Sequence, residues 1–303
     1  MTTHESGSGS LRRKALLCTA LVLLCAALAL CWLAGRRHDQ GLLPREPEVP
    51  MTEEELDLQF PLLALTRADR DTEGSYPQDL DLSAFGTECL ITEGGTYRLS
   101  GSLKGVLRIA AEEQTVHLLL DNISITASEG PALLAESKGK LILTLPAGTR
   151  STISDSGHYP NGSDTESCIF SKGDLTINGS GTLVVNGLYK DAIHSKNIVR
   201  IPEGEIIIKC KRTGIHGSDG IYVCGGNLNI SSQKNSLRTT KSGVDGRGNL
   251  VIAGGDHQLI SGRHAFLTSR GDLYIYNCRI FDNSIVSTYN IGGKRVVQSG
   301  CIQ

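Results

Sequence analysis

Between Ser171 and Ile230 the chain repeatedly places alternating apolar residues on either side of a glycine. Leu175 and Ile177 precede Gly181, with Leu183 and Val185 after it. Val199 and Ile201 precede Gly204, with Ile206 and Ile208 after it. Ile221 and Val223 precede Gly226, with Leu228 and Ile230 after it. Ile177, Ile201 and Val223 therefore stand 24 and 22 residues apart, the period of a solenoid. Alternation at period two means strands with one face in and one out. A short strand, a glycine turn and a second short strand at this spacing describe one coil of a right-handed, single-stranded parallel β-helix, an all-β fold. Ile177, Ile201, Val223, Ile252 and Ile275 are expected to stack in one internal column. The series extends backward through Leu141, Leu143 and Leu145, with Leu120 and Leu143 at 23 residues as equivalent positions.

Composition narrows the class. The 303 residues include 35 glycines, one tryptophan and two methionines, which suits stacked aliphatics and tight turns. The formal charge of −2 gives no support to nucleic-acid binding. The nine cysteines form no Cys-x-x-Cys pair and no zinc spacing with histidine, so a metal-thiolate site is not indicated. Buried free thiols are expected.

Along the chain, residues 1–14 read as a short cytoplasmic tail ending in Arg12, Arg13 and Lys14. Ala15 to Ala34 carry no charge, and twenty such residues are long enough to span a bilayer. A cleaved signal sequence is the other reading of a basic-then-apolar start. The length of the run, and Arg36 and Arg37 where a small-residue cleavage site would stand, favour a retained single-pass transmembrane helix with the rest of the chain extracytoplasmic. Residues 35–84, punctuated by Pro44, Pro47, Pro50, Pro61 and Pro77, read as an extended stalk or linker. The run Phe60 to Leu65 within it is open between a helical turn and a docked segment. The folded domain is expected over 85–303, with polar insertions around Ser154–Ser167 and Ser242–Asn249.

GTYRLSGSL, then LLLDNISIT, then SKGDLTINGSGTLVVNGLYKDAIHSK resemble the bacterial carbohydrate-binding-domain proteins with a pectate-lyase-like parallel β-helix. The resemblance implies a cell-surface protein that binds polysaccharide such as cellulose or polygalacturonate without cleaving it, and calcium ions on the helix. The family pattern puts an aspartate before Gly-Ile at successive coil corners. Here Asp191 keeps it, Thr213 replaces it one coil on, and Asn235 and Ser236 stand there in the next. Calcium takes six to eight oxygen ligands, so the acidic ladder is incomplete. Asp191 with Asp164, Glu166 and Asp174 make up the candidate metal set. Lys190, Lys196, Lys211, Arg212, Lys234, Arg238 and Lys241 recur with the coil period and would stack into a basic strip, which suits an acidic polysaccharide.

Tyr189, Lys190, Arg212 and Arg238 are the candidate sugar-binding residues. Tyr222, Tyr274 and Tyr276 are expected to turn their rings outward. His194 and His216, 22 residues apart, are expected to stack on the outer face. Solvated surface charge is the plainer reading of the basic residues, and a turn residue the plainer reading of Asp191. A pectate-type polysaccharide lyase, or an adhesive surface β-helix without specific sugar binding, are the alternatives. No acid–arginine constellation stands out that would mark a lyase.

Overall fold

The computed structural model describes residues 52–75, 77–160, 164–241 and 246–303. The expected tail and membrane span, and part of each polar insertion, lie outside these. No helix among the described residues is long and apolar enough to cross a membrane.

Within Val49–Gln303 the chain winds through three parallel sheets of ten, eight and nine strands. One coil shows the plan. Strand Leu175–Asn178 belongs to the first sheet, Thr182–Gly187 to the second and Asp191–Ser195 to the third; Ile198–Ile201 then returns to the first. Every strand pairs in parallel with its equivalent on the next coil, as in Ile201 with Val223, Val223 with Ile252, and Ile252 with Ile275. The expected internal column is therefore real, and all five of its side chains are fully buried. An aspartate in that column would be an unpaired charge in a continuous apolar core.

The glycine between the first and second strands is dictated by geometry. Gly204, Gly226 and Gly255 have φ of 125°, 76° and 93°, where L side chains are strained. A Cβ on Gly226 would also lie 2.4 Å from the Gly204 carbonyl oxygen below it.

Two expectations need correction. Leu143 pairs with Leu118, not Leu120, so the register there is two residues off the extrapolated one. The coil also has a third strand where the sequence reads as a corner. In Asp191–Ser195 the consecutive residues Ala192 and Ile193 both enter the core, which breaks the alternation that marks the other strands. The six described cysteines are free, five of them buried, as expected.

The largest difference concerns residues 52–84. Their composition reads as an extended stalk, yet residues 52–75 lie against the outer face of the first sheet, and strand Gln78–Asp81 joins that sheet's end. Two capping boxes start short helices at Glu53–Gln59 and Arg67–Arg70, with Thr52 and Thr66 as the caps. Leu56, Phe60 and Leu63 pack on Ile198, Tyr222, Val251, Tyr274 and Val296. The proline-rich run thus has an apolar face of its own, and the sheet's outward aliphatics and tyrosines receive it.

Polar groups fix this strap in register. Asp69, fully buried, accepts hydrogen bonds from Lys140 Nζ at 2.9 Å, Thr66 Oγ1 at 2.7 Å and Thr176 Oγ1. Asn178 Nδ2 donates to the Asp69 and Asp71 carbonyls at 2.9 and 2.8 Å. Arg200 donates to the Leu62 and Leu63 carbonyls and pairs with Asp174 at 2.6 Å. Tyr222, Tyr274 and Tyr276 do leave the core outward, but the strap buries them.

Candidate functional site

The outer face of the third sheet carries the other concentration of polar side chains. Because Ala192 and Ile193 both turn inward, Asp191 and His194 leave the strand on the same outer side. Parallel pairing then sets His194, His216 and Arg238 in one column, and Thr213 beside Asn235 in another. The imidazoles of His194 and His216 stack with centroids 4.1 Å apart and planes 3° from parallel. His194 Nε2 meets Ser218 Oγ at 3.3 Å, and His216 Nε2 meets Thr240 Oγ1 at 3.1 Å.

Asp191 is fully buried beneath this stack. Arg212 Nε and Nη2 hold its carboxylate at 2.6 and 2.9 Å, and the Thr213 amide donates to it at 3.0 Å. Burial opposes its ionisation, but His216 and Arg212 outweigh that and hold its pKa well below the usual carboxylate range. His194 is pushed down to about 3, by burial first and by the neighbouring His216 next. His216 is lowered mainly by burial. Both imidazoles are therefore neutral near pH 7.

Asp191, His194 and His216 bring ligand atoms within 4.8 Å of one another, the one such trio among the described residues. Calcium does not fit it. The trio offers two nitrogens to a cation that takes oxygens, and both carboxylate oxygens already face Arg212. Stacked rings also send their in-plane lone pairs parallel rather than to one point. The other candidate ligands have partners elsewhere or stand apart. Glu166 takes Lys190 and Arg212, Asp174 takes Arg200, and Asp164 is exposed.

Of the sugar-binding candidates, the structure brings Lys190, Arg212 and Arg238 to one side, but two of the three are spent on internal pairs. Lys190 binds Glu166, and Arg212 spans Asp191 and Glu166. Tyr189 stacks on Tyr159 at 4.5 Å, with Lys190 Nζ 5.1 Å from its ring centre. Tyr159 comes from the polar insertion, whose Asp155 accepts its hydroxyl at 3.0 Å.

At the opposite end of the third-sheet strands lies a groove of about 350 Å³ lined by Lys138, Lys172, Lys196, Asn197, Ser218, Thr240 and Lys241. Lys172 and Lys196 follow the paired residues Ser171 and Ser195, so coil pairing places them on adjacent turns. All four lysines are exposed, and Lys138, Lys172 and Lys196 have no ion pair with a described carboxylate. Lys241 lies 3.8 Å from Asp219, a pair held loosely in solvent. Sequence reasoning found Lys196 and Lys241 but missed Lys138 and Lys172. The signal was present in the Ser-Lys pairs at 171–172 and 195–196.

Comparison with known proteins agrees with this architecture. The model of a family described as carbohydrate-binding domain-containing proteins matches residues 86–286, and the chain belongs to that family. A carbohydrate-binding domain-containing protein of Acetivibrio thermocellus is 30% identical over 134 residues, 42% of this chain. The match spans about half of that relative, 47% of its length. Among solved structures, a gadolinium derivative of a polysaccharide lyase-like protein from C. thermocellum superposes with a TM-score of 0.69. It is 24% identical, over 71% of this chain and 89% of the other, which is a likeness of fold.

Proposed function

We propose that this member of the carbohydrate-binding-domain family holds an acidic polysaccharide along the lysine groove of the third sheet and does not cleave it. The observation that carries the reading is the groove itself: four exposed lysines and no carboxylate among its lining residues. Elsewhere on this side, Lys190 and Arg212 are neutralised by Glu166 and Asp191. The groove's cations therefore remain available to a ligand. Lysines on adjacent turns are spaced by the strand separation of about 4.8 Å, so a polymer running along the solenoid axis meets one cation after another. Each contact with a solvated carboxylate contributes on the order of 1 kcal/mol, and affinity comes from the number of contacts. Ser218 and Thr240 add hydroxyls that the two imidazoles orient. In this reading the uncharged run Ala15 to Ala34 holds the domain at the extracytoplasmic side of a membrane, which fractionation of the full chain tests.

The binding test is a titration with polygalacturonate at two salt concentrations, with a neutral cellulose oligosaccharide as control. Binding should weaken as salt rises and weaken about tenfold in the double variant Lys172→Ala/Lys196→Ala. Chelator should leave it unchanged, since the donor set does not fit calcium. Equal binding of the neutral chain, or none of either, sinks the acidic-ligand reading. Growth of unsaturated-uronate absorbance would replace binding by lyase chemistry.

A further inference from the structure

The column of His194, His216 and Arg238 loses its polar run at the next coil, where Leu267 follows. Three buried side-chain atoms on two paired strands have no hydrogen-bond partner, Thr213 Oγ1, Asn235 Oδ1 and Arg238 Nε, and His216 Nδ1 has only a long contact to Asp191. Thr213 pairs with Asn235 and His216 with Arg238, so the four form one patch. Thr213, His216 and Asn235 are each more than nine-tenths buried, at 0%, 7% and 6% exposure. The nearest approach to a partner is His216 Nδ1 to Asp191 Oδ2, at 3.4 Å. Buried polar atoms are nearly always paired, and a cluster of orphans marks a place where something else binds.

Three arginines of this protein show what is missing. Arg200 on the first sheet uses Nε, Nη1 and Nη2 on Leu63, Asp174 and Leu62. Arg212 presents its Nε and Nη2 edge to both oxygens of Asp191. Arg238, partly buried, makes no ion pair with a described carboxylate, and its Nε hydrogen has no acceptor. Burial lowers its pKa; the Asp191 carboxylate nearby offsets part of this, and Arg212 adds a smaller repulsion. A partly desolvated guanidinium with no acceptor at Nε works against folding.

No acid among the described residues stands in contact with Arg238, because the column occupied by Asp191 holds Thr213 and then Asn235 on the following coils. Arg238 also shares its outward side with Thr240, two residues on, which lines the lysine groove.

We propose that Arg238, with His216, Thr213 and Asn235, forms a carboxylate subsite that takes one uronic-acid residue of the bound chain. The planar Nε–Nη2 edge fits a carboxylate as Arg212 fits Asp191. The Asn235 oxygen and the Thr213 hydroxyl would serve the sugar hydroxyls beside it. The subsite rests on the acidic-polysaccharide reading and assigns it a fixed point, where the exposed lysines supply only a diffuse field.

Its test has two readouts on the full chain. The first needs no ligand: Arg238→Met removes a partly desolvated guanidinium whose Nε has no acceptor and should raise Tm by roughly 2 °C or more, whereas Arg212→Met should lower it. The second uses sodium galacturonate as probe, with galactose and sodium sulfate as controls. Galacturonate should raise the wild-type Tm and leave Arg238→Met and Arg238→Gln unmoved, and neither control should shift any of the three. A fall in Tm for Arg238→Met, no wild-type response to galacturonate, or an equal response to sulfate overturns the subsite. The groove is judged separately. Loss of polygalacturonate binding in Lys172→Ala/Lys196→Ala, with the galacturonate shift retained, supports both assignments. Unchanged polymer binding in that variant, with the shift retained, rejects the groove and keeps the subsite.

Discussion

The outer faces of the first and third sheets belong to the same coils and differ in what meets their polar groups. On the first sheet, Thr176, Asn178 and Arg200 all reach partners in residues 52–75, and the tyrosines beside them are sealed beneath Phe60 and Leu63. On the third sheet, Asp191 and Arg212 satisfy each other, but Thr213, Asn235 and Arg238 one and two coils further on keep unpartnered atoms. A parallel solenoid stacks like side chains at short intervals whether or not that is favourable. Each outward column therefore has to be completed by another part of the chain or by a ligand. The first sheet shows the former, and the third has the composition for the latter.

Breaking the strap should have the largest effect. Asp69→Ala leaves Lys140 facing an empty site with only 18% of its side chain exposed, and strips Thr176 of its acceptor. Removing one member of a buried ion pair costs about 3 kcal/mol. Denaturant unfolding should show that loss, together with new exposure of Tyr222 and Tyr274 in the near-ultraviolet spectrum. A change below about 1 kcal/mol would mean that the apolar contacts of Leu56, Phe60 and Leu63 hold the strap without it. In that case polar registration is not what distinguishes the two faces.

Acid should separate the faces by pH. His194 and His216 have folded pKa values below the unfolded 6.5, so the unfolded chain takes up protons that the folded one refuses. Stability falls as pH drops below about 6.5, and for His194 the loss continues toward about 3. His117 and His257 are also lowered by burial and add to the same slope, so the third-sheet share is read by difference. The double variant His194→Gln/His216→Gln should remove on the order of 2 kcal/mol of the loss between pH 7 and 4.5. Asp69 loses its contribution in the same direction but at lower pH. Burial raises its pKa, but bonds from Thr176, Thr66 and Lys140 bring it below 3.8. Its contribution is complete above that value and disappears only as pH falls further. Strap release at a higher pH than loss of the imidazole stack would reverse the order argued here.

How much of this was readable in the chain depended on how regular each part is. Ile177, Ile201 and Val223 announce themselves because the first- and second-sheet strands alternate strictly about a glycine. The third strand was hidden as a corner because Ala192 and Ile193 both point inward, so no period-two signal survives. The strap was hidden for a different reason. The apolar side chains of residues 52–75, Leu56, Phe60 and Leu63 among them, follow no strand or solenoid period, and the polar contacts that fix them, such as Asp69 to Thr176, are long-range and leave no local pattern. The basic residues were legible as a periodic set, but not which of them are neutralised. Glu166 lies in an irregular insertion outside the repeat, yet it takes both Lys190 and Arg212.

Tyr189 gives the smallest and sharpest test of the comparison. Beside Lys190 and Asp191 at a coil turn, it is the tyrosine the sequence marks most strongly as a platform for a sugar ring. In the fold its ring stacks on Tyr159 with planes 18° apart, while Lys190 Nζ sits over it at 5.1 Å. A ring so covered holds the insertion to the solenoid. Tyr159 is itself anchored through Asp155, which also accepts the Leu188 amide at 2.6 Å. Tyr189→Ala should therefore cost about 1 kcal/mol, the worth of an aromatic pair beyond its buried area. Polygalacturonate affinity should stay within a factor of two, because the lysine groove lies at the other end of these strands and neither Tyr189 nor Tyr159 lines it. Tyr189→Phe should leave both quantities unchanged. Loss of binding in Tyr189→Ala with stability intact would place the ligand at the Asp191 end of the third sheet. The closed pairs of Lys190 and Arg212 would then have to open to receive it.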